Sequence, residues 1–80
     1  MKARVTISLK NGVLDPQGKA IENALHGLGF DQANDVRQGK IIELDLGNIA
    51  PAEAPTEVEK MCKQLLANTV IENYSIELLD

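Results

Sequence analysis

Eighty residues suffice for one small domain that removes about 60% of its unfolded surface from water, so the core is thin and pairing with a second chain would help it. Hydrophobic residues make up 44% and aromatic ones 2%, which leaves a core of Ile, Leu, Val and Ala with Phe30 and Tyr74 as its rings. Eight Lys and Arg against 12 acids give a net charge of -4, which opposes nucleic acid or an anionic membrane as partner, while one Cys and one His complete neither a disulfide nor a common zinc spacing.

The chain opens on a strand. Ala3, Val5, Ile7 and Leu9 alternate with Arg4, Thr6 and Ser8, the period of two that buries one face of a sheet. Neither a signal-peptide pattern nor an apolar run of bilayer length is present, so a cytoplasmic location is expected. Asp15 followed by Pro16 predicts a helix start, because the carboxylate accepts from free first-turn amides and proline gives up only an amide that would be unpaired. The helix is predicted to run to about Leu28, with Ile21, Ala24, Leu25 and Leu28 as its apolar face and Gly29 as its left-handed terminator.

A second extended region spans 34–46, with Ile42, Leu44 and Leu46 on one side and Ile41, Glu43 and Asp45 on the other. Gln38 and Gly39 interrupt it, and a short hairpin is favoured there over a bulge in one long strand. Pro51 and Pro55 bracket the entry to a second helix, in which Val58, Met61, Cys62, Leu65 and Leu66 recur at helical spacing until Asn68. A last strand from about Tyr74 to Leu79 turns Tyr74, Ile76 and Leu78 inward. This order predicts an α+β fold: a single two-layer domain over residues 1–80, with a mainly antiparallel sheet and both helices on one face, β-α-β(β)-α-β in a ferredoxin-like arrangement. Ile41 and Leu79 then fall on the opposite, open face, among Arg4, Thr6, Glu43 and Glu77, and two copies packing through sheet faces or edges would cover it.

Reactive chemistry is sparse. His26 stands beside the apolar stripe of the first helix with no nucleophile at a recognisable spacing, and Cys62 lies on a buried stripe, where its thiol behaves as a small hydrophobe with a raised pKa. The pairs Glu57/Glu59 and Glu43/Asp45 read as solvated charge. Gly27 and Gly29 follow a helix instead of leading into one, which is the wrong order for a phosphate loop. Gly18 is the exception. A glycine in a helical first turn forgoes up to about 1 kcal/mol of propensity, and either a plain turn or a backbone left bare for close approach would explain it.

Ser8-Leu9-Lys10 and Val13-Leu14-Asp15-Pro16-Gln17-Gly18 resemble the opening signature of the PurS family. Val36-Arg37 with Gly39-Lys40, then Cys62 with Leu65-Leu66-Ala67-Asn68, then Val70-Ile71-Glu72 and Tyr74 are similar to its middle and closing motifs, in order and spacing. The resemblance covers nearly the whole chain, apart from 47–56 and the extreme C-terminus, and Thr69 stands where many members carry proline. It implies a small, non-catalytic subunit of phosphoribosylformylglycinamidine synthase, the ATP-dependent glutamine amidotransferase of purine biosynthesis. In such complexes a glutaminase subunit releases ammonia, a large synthetase subunit consumes it with ATP and Mg, and PurS-like homodimers bridge the two. No catalytic, cofactor or metal residue is then expected in this chain. Asp15, Pro16, Gln17 and Gly18, with Arg37, Gly39 and Lys40, become the candidate partner contacts. A regulatory module binding a small ligand between subunits is the competing expectation. An RNA-binding sheet is disfavoured, because its central strands would have to display rings that are lacking here before Tyr74.

Overall fold

A computed structural model describes residues 1–79. Strand β1 (Lys2–Leu9) is followed by helix α1 (Pro16–Gly27), strand β2 (Gly39–Asp45), helix α2 (Ala54–Met61), which widens into a π-helical turn over Cys62–Leu66, and strand β3 (Glu72–Leu79). β1 lies in the centre, antiparallel to β2 on one side and β3 on the other. Its alternation decides the two faces. Ala3, Val5 and Ile7 are buried and stand opposite Leu44, Ile42 and Lys40 on β2 and Leu78, Ile76 and Tyr74 on β3. On the reverse face Arg4 lies between Glu43 and Glu77 and pairs with both.

The core forms where α2 crosses the inner face of this sheet. Val58 and Cys62 are fully buried against Val5 and Ile7, with Ala67 beside them. At the π turn the Ala67 amide bonds back five residues, to the Cys62 carbonyl at 3.0 Å, and the widened turn breaks the 3.6-residue stripe. Ala67 takes the buried place that a regular helix would give Leu65, and Leu65 is left 83% exposed.

The α+β class, the antiparallel sheet and the two helices agree with the sequence pattern; the exposure of Leu65 and two further details do not. No hairpin forms at Gln38-Gly39: residues 34–38 are irregular and β2 starts at Gly39, so the sheet has three strands. The Gln38 amide donates to the Asp15 side chain at 2.8 Å, a bond that withdraws it from any strand ladder. The apolar stripe of α1 is not covered either. Ile21 and Leu28 remain 42% and 73% exposed, and α1 shares no extensive packing with any strand or with α2. It ends as predicted, Gly29 adopting φ +97° while the Gly29 and Phe30 amides bond to the carbonyls of His26 and Leu25, the double closure of a Schellman motif.

The molecule is therefore long, 50 × 26 × 14 Å, with a radius of gyration of 16.1 Å where a compact chain of this length has about 12 Å. Its accessible surface, 5685 Å², exceeds by roughly 1,000 Å² that of a compact monomer of its mass.

Candidate functional site

The motif residues meet at one corner, where the end of β1, the first turn of α1 and the segment returning to β2 come together. Asp15 caps α1 in extended backbone, with Pro16 in the first turn. One carboxylate oxygen accepts from the Gly18 amide at 2.8 Å and the other from the Gln38 amide at 2.8 Å. The side chain is buried with both oxygens satisfied, and these two bonds, helped by the nearby Arg37 guanidinium, hold its carboxyl below the usual value. Gly18 has a steric reason for lacking a side chain: a Cβ there would stand 2.4 Å from the Val36 carbonyl oxygen.

Arg37 closes the corner from the other side. Its Nη1 donates to the Val13 carbonyl at 2.9 Å and its Nη2 to the Lys10 carbonyl at 3.2 Å, so one planar group spans the turn after β1. At Gly39 a Cβ would meet the Ile7 carbonyl oxygen at 2.6 Å, so the close approach of β2 to β1 requires a bare backbone. Pro16, Gln17 and Lys40 are exposed. Gln17, Gly39 and Lys40 line, with Ser8 and Glu72, a shallow pocket of about 230 Å³, below the volume typical of small-molecule sites. Of the seven candidate contact residues, Asp15, Gly18, Arg37 and Gly39 are thus engaged within the chain, and Pro16, Gln17 and Lys40 present surface.

One residue of the same assembly, Glu22, escaped the sequence reading, and another, His26, was given no contact by it. Glu22 accepts from the Val36 amide at 3.3 Å, which, with the Lys19 ammonium, lowers its pKa. A ring nitrogen of His26 bonds the Ala33 carbonyl at 2.7 Å, so this histidine ties a loop and is not a free surface group. Asp15, Gly18, Glu22 and His26 are spaced three, four and four apart, one face of a helix. That spacing was the available signal. Cys62 and Tyr74 sit elsewhere, in the core region: burial, then Glu59, pushes the Cys62 thiol up, and a hydrogen bond to Glu59 pushes the Tyr74 hydroxyl up to about 12. Among the described residues no three His, Cys, Asp or Glu side chains gather as metal ligands, and no helix is long and apolar enough to cross a membrane.

Comparison with known proteins gives matches along nearly the whole chain. The PurS family model, described as phosphoribosylformylglycinamidine (FGAM) synthase, fits residues 2–80. Over 77 residues the chain is 46% identical to the phosphoribosylformylglycinamidine synthase subunit PurS of Bacillus subtilis, covering 96% of this chain and 90% of that one. It is 44% identical to the corresponding subunit of Methanocaldococcus jannaschii over 77 residues, 96% and 93% of the two chains. The backbone superimposes on a crystal form of Bacillus subtilis PurS with a TM-score of 0.88 at 44% identity, covering 99% and 98% of the two chains. On a chain of the PurLQS structure from Thermotoga maritima the TM-score is 0.85 at 31% identity, covering 98% and 95%. Agreement of sequence and backbone from one end to the other makes this chain a member of the PurS family of phosphoribosylformylglycinamidine synthase.

Proposed function

We propose that this chain is the non-catalytic small subunit of a phosphoribosylformylglycinamidine synthase, acting in purine biosynthesis by holding a glutaminase subunit against the large synthetase subunit. The observation that carries the reading is the near-complete correspondence with a chain of the PurLQS structure, which we take as an assembly of small, large and glutaminase subunits. A bridge needs surface and not reactive groups, and the two perturbed groups outside the corner, Cys62 and Tyr74, are tied into the core. The ATP and Mg of the reaction belong in this reading to the synthetase partner.

Ammonia released into water at neutral pH is mostly protonated and loses the lone pair that attacks. Close docking of the two enzymes removes that loss, and a bridging subunit supplies it by geometry alone. The bridge works as a homodimer: the roughly 1,000 Å² of surface beyond that of a compact monomer is comparable to the roughly 800 Å² each partner buries in a standard interface. A cytoplasmic location follows from this role.

Reconstitution of the three components, with and without this chain, tests the proposal. With glutamine as nitrogen source, amidine formation is expected to fall sharply when the chain is omitted, whereas with added ammonium salt it is expected to persist. Equal glutamine-dependent rates in both mixtures would remove the bridging role.

A further inference from the structure

The turn that leads out of β1 joins an exposed asparagine to a glycine. The Val13 amide bonds to the Lys10 carbonyl at 3.1 Å, which closes a β-turn with Asn11 and Gly12 at its centre, both exposed. Gly12 takes φ +86°, the left-handed conformation that the third residue of such a turn reserves for glycine, and the space where its side chain would stand is open. Arg37 holds both ends of the turn through the Lys10 and Val13 carbonyls. The centre is held by nothing comparable: among the described residues no hydrogen bond engages the Asn11 side chain or the Gly12 amide. Asn11 is also the one asparagine of the chain that precedes a glycine. Asn23 and Asn73 lie inside α1 and β3, whereas Asn34, Asn48 and Asn68 precede Asp, Ile and Thr, whose side chains shield the following amide.

We propose that Asn11 is a site of spontaneous covalent modification, at which the folded chain deamidates to isoaspartate and loosens the Arg37 corner. The Gly12 nitrogen, after losing its proton to solvent base, attacks Cγ of Asn11. A five-membered succinimide forms, the bond from Cγ to the side-chain nitrogen breaks, and that nitrogen leaves as ammonia. Water then opens the ring at one of its two carbonyls. Opening at Cγ gives aspartate on the original backbone; opening at the main-chain carbonyl gives isoaspartate, in which the chain runs on through Cβ and Cγ. One water is consumed and one ammonia released, with no change of oxidation state. Isoaspartate lengthens the backbone by one atom between the two carbonyls that Arg37 holds, so the turn no longer fits both the fork and its own closing bond. The modification is independent of the bridging role, because it needs only the turn and water.

Ageing the full chain in mildly alkaline buffer without denaturant tests this. Peptide mapping by mass spectrometry is expected to show conversion confined to Asn11, and a protein isoaspartyl methyltransferase is expected to label the same peptide. In Asn11→Gln, where the corresponding ring has six members and closes far more slowly, both signals are expected to vanish. The modified chain carries one more negative charge and is separable by ion exchange. In its isoaspartyl form the Val13 amide is expected to exchange roughly tenfold faster than in the native chain, as loss of one hydrogen bond predicts, while amides of β1 keep their rates. The Asn11→Asp variant, which has the charge but not the longer backbone, is expected to keep the native Val13 rate. Conversion seen only in urea, or spread evenly over the asparagines, would overturn the site. An unchanged Val13 rate in the isoaspartyl form, or one raised equally in Asn11→Asp, would overturn the loosening of the corner by backbone lengthening.

Discussion

At the scale of single residues, charge and hydroxyl groups here are settled by the hydrogen bonds they make. Tyr74 donates to Glu59 across the edge of the core, and its hydroxyl is pushed up to about 12 by that bond first and by burial second. The folded state therefore holds this proton more tightly than the unfolded chain, whose tyrosine titrates near 10. The resulting stabilisation is complete below pH 10 and is lost as pH rises from 10 towards 12. Urea midpoints measured from pH 8 to pH 11.5 are expected to decline more steeply in the native chain than in Tyr74→Phe, which has no hydroxyl to ionise; parallel curves would mean that the Glu59 contact carries no linkage. Asp15 and Gly18 illustrate what was legible at this scale. The cap function of Asp15 follows from Asp-Pro alone, but its second bond, to Gln38 twenty-three residues away, has no local signature. The cost of Gly18 to helix propensity was visible, and its cause, the Val36 carbonyl, was not.

At the scale of elements, period-two patterns proved reliable because one face of each strand is committed to the core. β1 buries Ala3, Val5 and Ile7 and β3 half-buries Tyr74, Ile76 and Leu78, as their alternation assigns, and Arg4, Glu43 and Glu77 meet on the other face as the register requires. The hairpin expected at Gln38-Gly39 failed because the hydrogen bonds that would have closed it go to α1. Helix α2 failed in a narrower way, since apolar spacing cannot announce a π turn: Val58, Cys62 and Leu65 suit a regular helix, whereas the chain buries Val58, Cys62 and Ala67. Substitution separates the two registers. Val58→Ala removes two fully buried methyl groups and is expected to cost roughly 2 kcal/mol in a urea melt, whereas Leu65→Ala, on an exposed residue, is expected to stay within about 0.5 kcal/mol. Similar losses at both positions would restore the regular helix.

At the scale of the whole molecule, the excess surface and the exposed stripe of α1 belong together. Leu28 and Ile21 make poor surface in an acidic chain with a net charge of -4, and a small core gives little margin for leaving them wet. A second copy covers such a stripe at least expense in sequence, because one patch serves both partners of a two-fold interface. Sedimentation at micromolar concentration is accordingly expected to give twice the 8.7 kDa chain mass. The variant carrying Ile21→Glu and Leu28→Glu together is expected to sediment at 8.7 kDa, because four like charges would be forced into the paired interface. Its circular dichroism should still report helices and strands, since neither residue belongs to the core cluster. A native chain sedimenting as a monomer would leave the elongated shape without its partner and remove the dimer from the proposed bridge; a dimer that survives both glutamates would move the interface from α1 to the sheet face around Ile41.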